Sequence, residues 1–241
     1  MSDRTDITKH LVYSAWILTI IQMLKVAGSY IFINYLLESV LIIDAAFDFA
    51  LILFSIGLIR LGRSLSEDIK WKLPSSFLII ASFIDIIAII LAYVNIKAGW
   101  STSPFIYVRL AFVVVYFLVL ATGFTLLKFT IDSLFKNDYL PRKGQWYIPI
   151  GILILLAPAI INWYSVLINP LVLYAWIENV SLILFLFAAF LIILGFFGLS
   201  STMNMFQSGK YAMEDYSLDP DDANYIEDVE LNENKINGDE N

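Results

Sequence analysis

The chain has no cysteine. That excludes disulfides, thiolate nucleophiles, zinc–thiolate sites and iron–sulfur ligation. Histidine is nearly absent as well, with His10 standing alone at the foot of the first apolar block. A single histidine rules out bis-histidine haem ligation within the chain and the His-Glu-x-x-His zinc pattern. A Ser–His dyad would have to use His10, and no nucleophile-elbow motif accompanies it. Neither a P-loop nor a Gly-rich dinucleotide fingerprint occurs. No catalytic motif, metal or cofactor is therefore expected. Charge is scarce too: 15% of the 241 residues are charged, where a soluble domain carries about 25%.

What the chain has instead is apolar length. Hydrophobic residues make up 59% of it, more than a single water-soluble core of this size can hide. They come in blocks. A helix crossing the hydrocarbon core needs about 20 apolar residues, and six stretches meet that length, at about 11–33, 38–60, 76–96, 105–129, 147–167 and 177–200. The expected fold is an all-α integral membrane protein, a six-helix transmembrane bundle occupying residues 1–208. The polar opening MSDRTDITKH lacks the apolar stretch of a secretory signal, so the first block is read as a retained helix.

Charge distribution orients the bundle. The net charge of −7 is concentrated: Tyr211–Asn241 holds eleven Asp/Glu and one Lys, and the rest of the chain is basic by three. Residues 209–241 are expected to be an acidic, disordered cytoplasmic tail, too poor in apolar surface to offset the entropy of ordering. Met213, Tyr216, Tyr225, Ile226 and Val229 could give it a short motif for a basic partner. Twelve of the fifteen basic residues fall on one side of the spans, among them Arg60, Arg63, Lys70, Lys128 and Arg142. Lys97 and Arg109 fall on the other, and Lys25 lies within the first span. Cytoplasmic flanks keep the excess of Lys and Arg, so both termini are expected inside, in the plasma membrane of a prokaryote. The basic rim is read as orientation charge beside anionic lipid heads, and nucleic acid is not an expected partner. Trp71, Trp100, Trp146, Tyr147, Trp163, Tyr164 and Trp176 fall near the expected interfaces as anchors.

An internal repeat is one reading of the bundle. Gly57–Leu61, Gly123–Leu127 and Gly195–Leu199 align, each followed three positions later by Ser64, Thr130 or Thr202. Two linkers share Leu73-Pro74 and Leu140-Pro141. The body would then be three tandem helical hairpins; the competing account is chance, since Gly, Leu and Ser are common in membrane helices. The even-numbered helices are expected to outrun the bilayer as amphipathic stripes. These are Leu58, Leu61, Leu65 and Ile69; then Leu127, Ile131, Leu134 and Phe135; then Leu199, Met203 and Phe206. The stripes would lie on the membrane or on each other, or dock a protein partner. Ala46/Ala50 and Ala88/Ala92 would let helices approach closely. Pro158 is expected to kink the fifth span, with Asn162 one turn later satisfying a freed carbonyl.

The informative residues are ionisable groups inside spans: Lys25, Asp44, Asp48, Asp85 and Arg109, with Glu178 at the start of the sixth. Each costs about 2.5–3.5 kcal/mol at the bilayer centre on insertion scales, so each needs a partner or a cavity. Asp44 and Asp48 share one helix face. Folding the first hairpin near Leu36 sets Lys25 opposite them, which predicts a Lys25–Asp44 or Lys25–Asp48 pair. Asp85 has no sequence-local partner, and Arg109 can snorkel outward. Structural pairing is the simpler account of this cluster; a cation or proton path is the alternative. An aspartyl-protease pair of Asp48 and Asp85 lacks a Gly-rich context. The functional expectation is a non-enzymatic accessory or scaffold protein, or a membrane subunit of a complex. The alternative is a transporter or permease subunit using the polar cluster. A lipid-modifying enzyme has no supporting motif.

Overall fold

The structure, a computed structural model of the chain, describes residues 2–31, 37–65, 68–98, 105–134, 142–168 and 175–207, with some side chains near helix ends excepted. The acidic segment 209–241, the Leu140-Pro141 linker, and the side chains of Trp100, Trp163, Trp176, Asn162 and Glu178 lie outside the described residues. Among the described residues there are six α-helices and no strands: α1 Ser2–Ile31, α2 Leu37–Ser64, α3 Asp68–Ala98, α4 Phe105–Leu134, α5 Tyr147–Ile168 and α6 Ala175–Gln207. A 3-10 turn, Arg142–Trp146, leads into α5. All six helices are long and apolar enough to cross a membrane. α3, with 31 residues, runs about 46 Å at 1.5 Å per residue, well beyond a hydrocarbon core of about 30 Å.

The helices form a closed ring. Each touches its neighbours in sequence, and α1 also touches α6. Among the described residues the backbones of opposite helices stay apart. The seam between α1 and α6 includes an edge-on contact of Trp16 with Phe197, ring centroids 5.6 Å apart. Large apolar side chains cover the outside, including Ile17, Leu24, Phe49, Leu53, Phe83, Ile87, Phe187 and Phe190. A soluble monomer rarely exposes so continuous an apolar surface.

One end of the ring, where α1 begins and α6 ends, is solidly filled. Leu11, Leu58, Leu61, Trp71, Leu78, Leu127, Ile131, Ile148, Leu199 and Met203 are buried there. The described members of the stripes, with Leu65 partly buried beside them, thus pack inside the bundle; Phe135 and the side chains of Leu134 and Phe206 lie outside the described residues. Ile69 departs from the expectation: it belongs to α3, not to the α2 stripe, and is 84% exposed. Trp71 departs as well. It is fully buried, because the absent side chain of Gly62 leaves room for its Cβ and ring, and so it is no interfacial anchor. Ala50, Ala88 and Ala92 are buried, but Ala46 faces outward.

Three glycines set the closeness of the hairpins. Gly57 of α2 receives Leu11 of α1, Gly123 of α4 receives Leu78 of α3, and Gly195 of α6 receives Ile148 of α5. The aligned glycines therefore occupy equivalent positions, each taking an apolar side chain from the first helix of its own hairpin. Seven residues on, two of the three aligned hydroxyls also bridge back. Gln145 donates to Thr202 Oγ1 at 2.7 Å, and Thr130 donates to the Lys70 carbonyl at 3.2 Å. The second bridge has a local cause. Pro74 lies inside α3, not in a linker before it, and proline has no N–H to offer the carbonyl four residues back. That carbonyl is Lys70, and the Thr130 hydroxyl, which also reaches the Leu126 carbonyl of its own helix at 3.0 Å, can share its one hydrogen with it. Other buried hydroxyls bond within their own helix, Ser55 to the Leu51 carbonyl and Ser75 to that of Trp71, both at 2.7 Å. Such closure keeps polar atoms satisfied where no water is at hand.

Candidate functional site

Away from the filled end, the ring is hollow. A cavity of about 480 Å³ lies along its axis, and every helix contributes to the wall. α1 gives Gln22 and Lys25, α2 gives Asp44 and Phe47, and α3 gives Asp85 and Ala88. α4 contributes Arg109, Val113, Tyr116 and Phe124; α5, Ile152, Leu155, Pro158 and Ala159; α6, Phe185, Ile192 and Phe196. The floor is aromatic. Phe196 meets Phe124 and Phe47 edge-on, at centroid distances of 5.5 and 6.1 Å. These three rings join α2, α4 and α6 across the centre and separate the cavity from the packed end.

The ionisable residues gather at the other end of the cavity. Lys25 Nζ lies 2.7 Å from Asp44 Oδ1 and 4.9 Å from the centroid of the Phe47 ring. Of the two pairings expected for Lys25, this is the one present. Both partners keep about a quarter of their side-chain surface accessible, so the ion pair stands at the cavity wall. Arg109 lines the same wall, in the electrostatic field of Asp44 and Asp85.

Asp48 and Asp85 form the second feature. α2 and α3 run antiparallel, held in register by Trp71 against Gly62, and this sets the two carboxyl groups level on facing helices, each in the other's electrostatic field. Asp85 faces the cavity. Asp48 lies behind it, fully buried. Neither oxygen of Asp48 has a donor among the described residues. A carboxylate only accepts hydrogen bonds, so two ionised carboxyls in contact give each other nothing. Asp85, which had no sequence-local partner, thus finds its partner across a helix interface.

Tyr116 is the residue that sequence reasoning missed. It is buried, lines the cavity, and stands beside the three aspartates. The signal was available in hairpin counting: with Leu78 opposite Gly123, Asp85 falls level with Tyr116. Pro158 is buried in α5, which runs on as helix to Ile168, and it lines the cavity. Glu178 and Asn162 are placed only as backbone positions of α6 and α5. A separate charged group, Lys128 paired with Asp132 and stacked 5.7 Å over Trp146, sits at the packed end and takes no part in the cavity. Lys128 is itself buried. Among the described residues no group of three or more His, Cys, Asp or Glu is arranged to hold a metal ion.

The arrangement is chemically two-sided. The rim offers both signs of charge and hydrogen-bonding groups, and the body offers aliphatic and aromatic surface. Small-molecule sites have this character, a volume of about 300–1,000 Å³ with mostly apolar walls and a few convergent polar groups. No protein-family model, curated protein or solved structure matches the chain.

Proposed function

We propose that the protein is an integral membrane carrier, with both termini in the cytoplasm, that binds a small amphiphile in the cavity of its helix ring. The membrane setting is supported by six spanning-length helices and an apolar outer surface. The orientation rests on the sequence bias of basic residues, twelve of fifteen on the side of the spans that holds both termini, by the rule that cytoplasmic flanks keep Lys and Arg. The cavity then lies in the outer half and opens away from the cytoplasm, floored by Phe47, Phe124 and Phe196.

One observation carries the carrier reading: charged groups of both signs face an open volume. Lys25, Asp44, Asp85 and Arg109 all line the hollow, where the charged end of a solute can reach them, and a bundle serving only as a scaffold has no use for such a volume. The mixed rim fits a zwitterionic end, and the aromatic body fits an apolar chain or ring. The accessory or scaffold reading keeps the acidic tail and the outward faces of the helix extensions, whose apolar stripes are turned inward.

The cysteine-free chain makes the test direct. Val113→Cys and Ala159→Cys place single thiols on the cavity wall. A membrane-impermeant thiol reagent applied outside intact cells should label both, and should spare Leu127→Cys in the packed end. Phenylalanine, a zwitterion with an apolar ring, should slow labelling if the rim and body act as described. Failure to label either wall position from outside counts against the open cavity. Failure of proteoliposomes to take up any of a panel of labelled zwitterionic amphiphiles would sink the carrier reading.

A further inference from the structure

The geometry points to Asp48 and Asp85 as a binding site for a single exchangeable proton, held between their carboxyl groups at the cavity wall. The α2–α3 register that seats Trp71 against Gly62 sets Asp48 level with Asp85 on the facing helices, and the oxygens of the fully buried Asp48 have no donor among the described residues. A hydrogen bond between two carboxyl groups needs one proton on one of them. Without it, two like charges would face each other in a low-dielectric interior, where their repulsion is strong.

The surrounding charges give the same stoichiometry. Lys25 from α1 and Asp44 from α2 are committed to each other. Arg109 and Tyr116 approach from α4. Among the described residues three carboxyl groups thus face two bases, and one proton on the Asp48–Asp85 pair leaves that group neutral. Neutrality is the arrangement a poorly solvated site favours. The route for exchange is also set. Asp85 lines the cavity and Asp48 lies behind it, so a proton leaving the pair breaks its O–H bond at Asp85 and passes to cavity water, and uptake reverses the step. This deepens the carrier reading and rests on it for the water, naming the proton as the cation that the cavity can exchange. The titration itself can be read without any solute.

The experiment is infrared difference spectroscopy on the full chain in lipid, with pH jumps and H₂O/D₂O exchange. Wild type should show one protonated-carboxyl carbonyl band at neutral pH, shifting in D₂O. Asp48→Asn and Asp85→Asn should each abolish it. Both variants should fold, since the amide can donate to the remaining carboxylate as the shared proton does, and a melting curve checks this. The double variant Lys25→Gln/Asp44→Asn, which removes the ion pair without changing net charge, should keep the band. The single variant Lys25→Gln, with one base fewer, should gain a second. Absence of the band in wild type, its survival in either single Asn variant, its loss in the double variant, or a band indifferent to D₂O would each overturn the proposal. Solute uptake tests the carrier separately, so the failure of one is distinguishable from the failure of the other.

Discussion

Replacing Gly195 by Ala tests the hairpin packing most sharply, especially beside the same change at Gly57. A Cβ at position 195 would stand 2.8 Å from the backbone nitrogen of Ile148 and 3.3 Å from its Cα. Favourable contact begins near 3.5 Å, so α5 and α6 must part by roughly 0.7 Å at a seam with no slack. Overpacking of this kind costs about 1–3 kcal/mol, and the better helix propensity of Ala returns only about 1 kcal/mol. The expected net loss is up to about 2 kcal/mol. At Gly57 the new Cβ meets only the end of the Leu11 side chain, Cδ2 at 2.7 Å and Cγ at 3.2 Å. That end can rotate away, so propensity and strain should nearly cancel. Unfolding by denaturing detergent from mild-detergent micelles, repeated in bicelles, reads both variants. Equal stability of the two, or a larger loss at Gly57, would refute the claim that backbone contact fixes the α5–α6 distance.

The buried bridge from Gln145 to Thr202 should show in a double-mutant cycle of Gln145→Leu and Thr202→Val, with coupling of about 0.5–1.5 kcal/mol in the same assay; strict additivity would count against it. Thr130→Val should cost about 1 kcal/mol by stranding the Lys70 carbonyl. That cost should shrink in a Pro74→Ala background, where an N–H replaces the hydroxyl, and an unchanged cost would disprove the link between the two residues. Lys25→Met and Asp44→Asn should each lower the melting temperature more than the two together, because each single change leaves a charge unpaired. A double variant no better than the worse single would contradict the pairing.

The six helices were legible because apolar runs long enough to span a bilayer are too long to mistake, and the first hairpin was legible enough to put Lys25 against Asp44 or Asp48. The interior face of each helix was harder to read. Outward residues such as Phe83 and Ile87 are as apolar as inward Leu78 and Ala81, so apolar periodicity does not separate the two faces. Trp71 was misread for that reason: an aromatic near a span end suits an interface, and only the gap at Gly62 shows that it points inward. The Asp48–Asp85 contact depends on that same α2–α3 register, so it was beyond reach of the sequence. Pro74 was misread as a linker residue because a proline that breaks a soluble helix can be kept in an apolar one when a neighbouring hydroxyl replaces its missing donor. Ring closure was illegible because nothing within α1 names α6 as its neighbour.

That closure has a consequence in time. The chain is made from its N-terminus, so α1 is made first and the helix that completes its surroundings is made last. Until α6 arrives, the flank of α1 that carries Trp16 has no Phe197 to meet, and five helices form an open arc with its hollow exposed at the side. The arc cannot hold a solute or a water-filled space before the final helix docks. A block at any earlier stage of synthesis leaves a stack of hairpins without an interior, and such a species, exposing polar groups meant for the inside, is suited to capture by chaperones and removal by proteases.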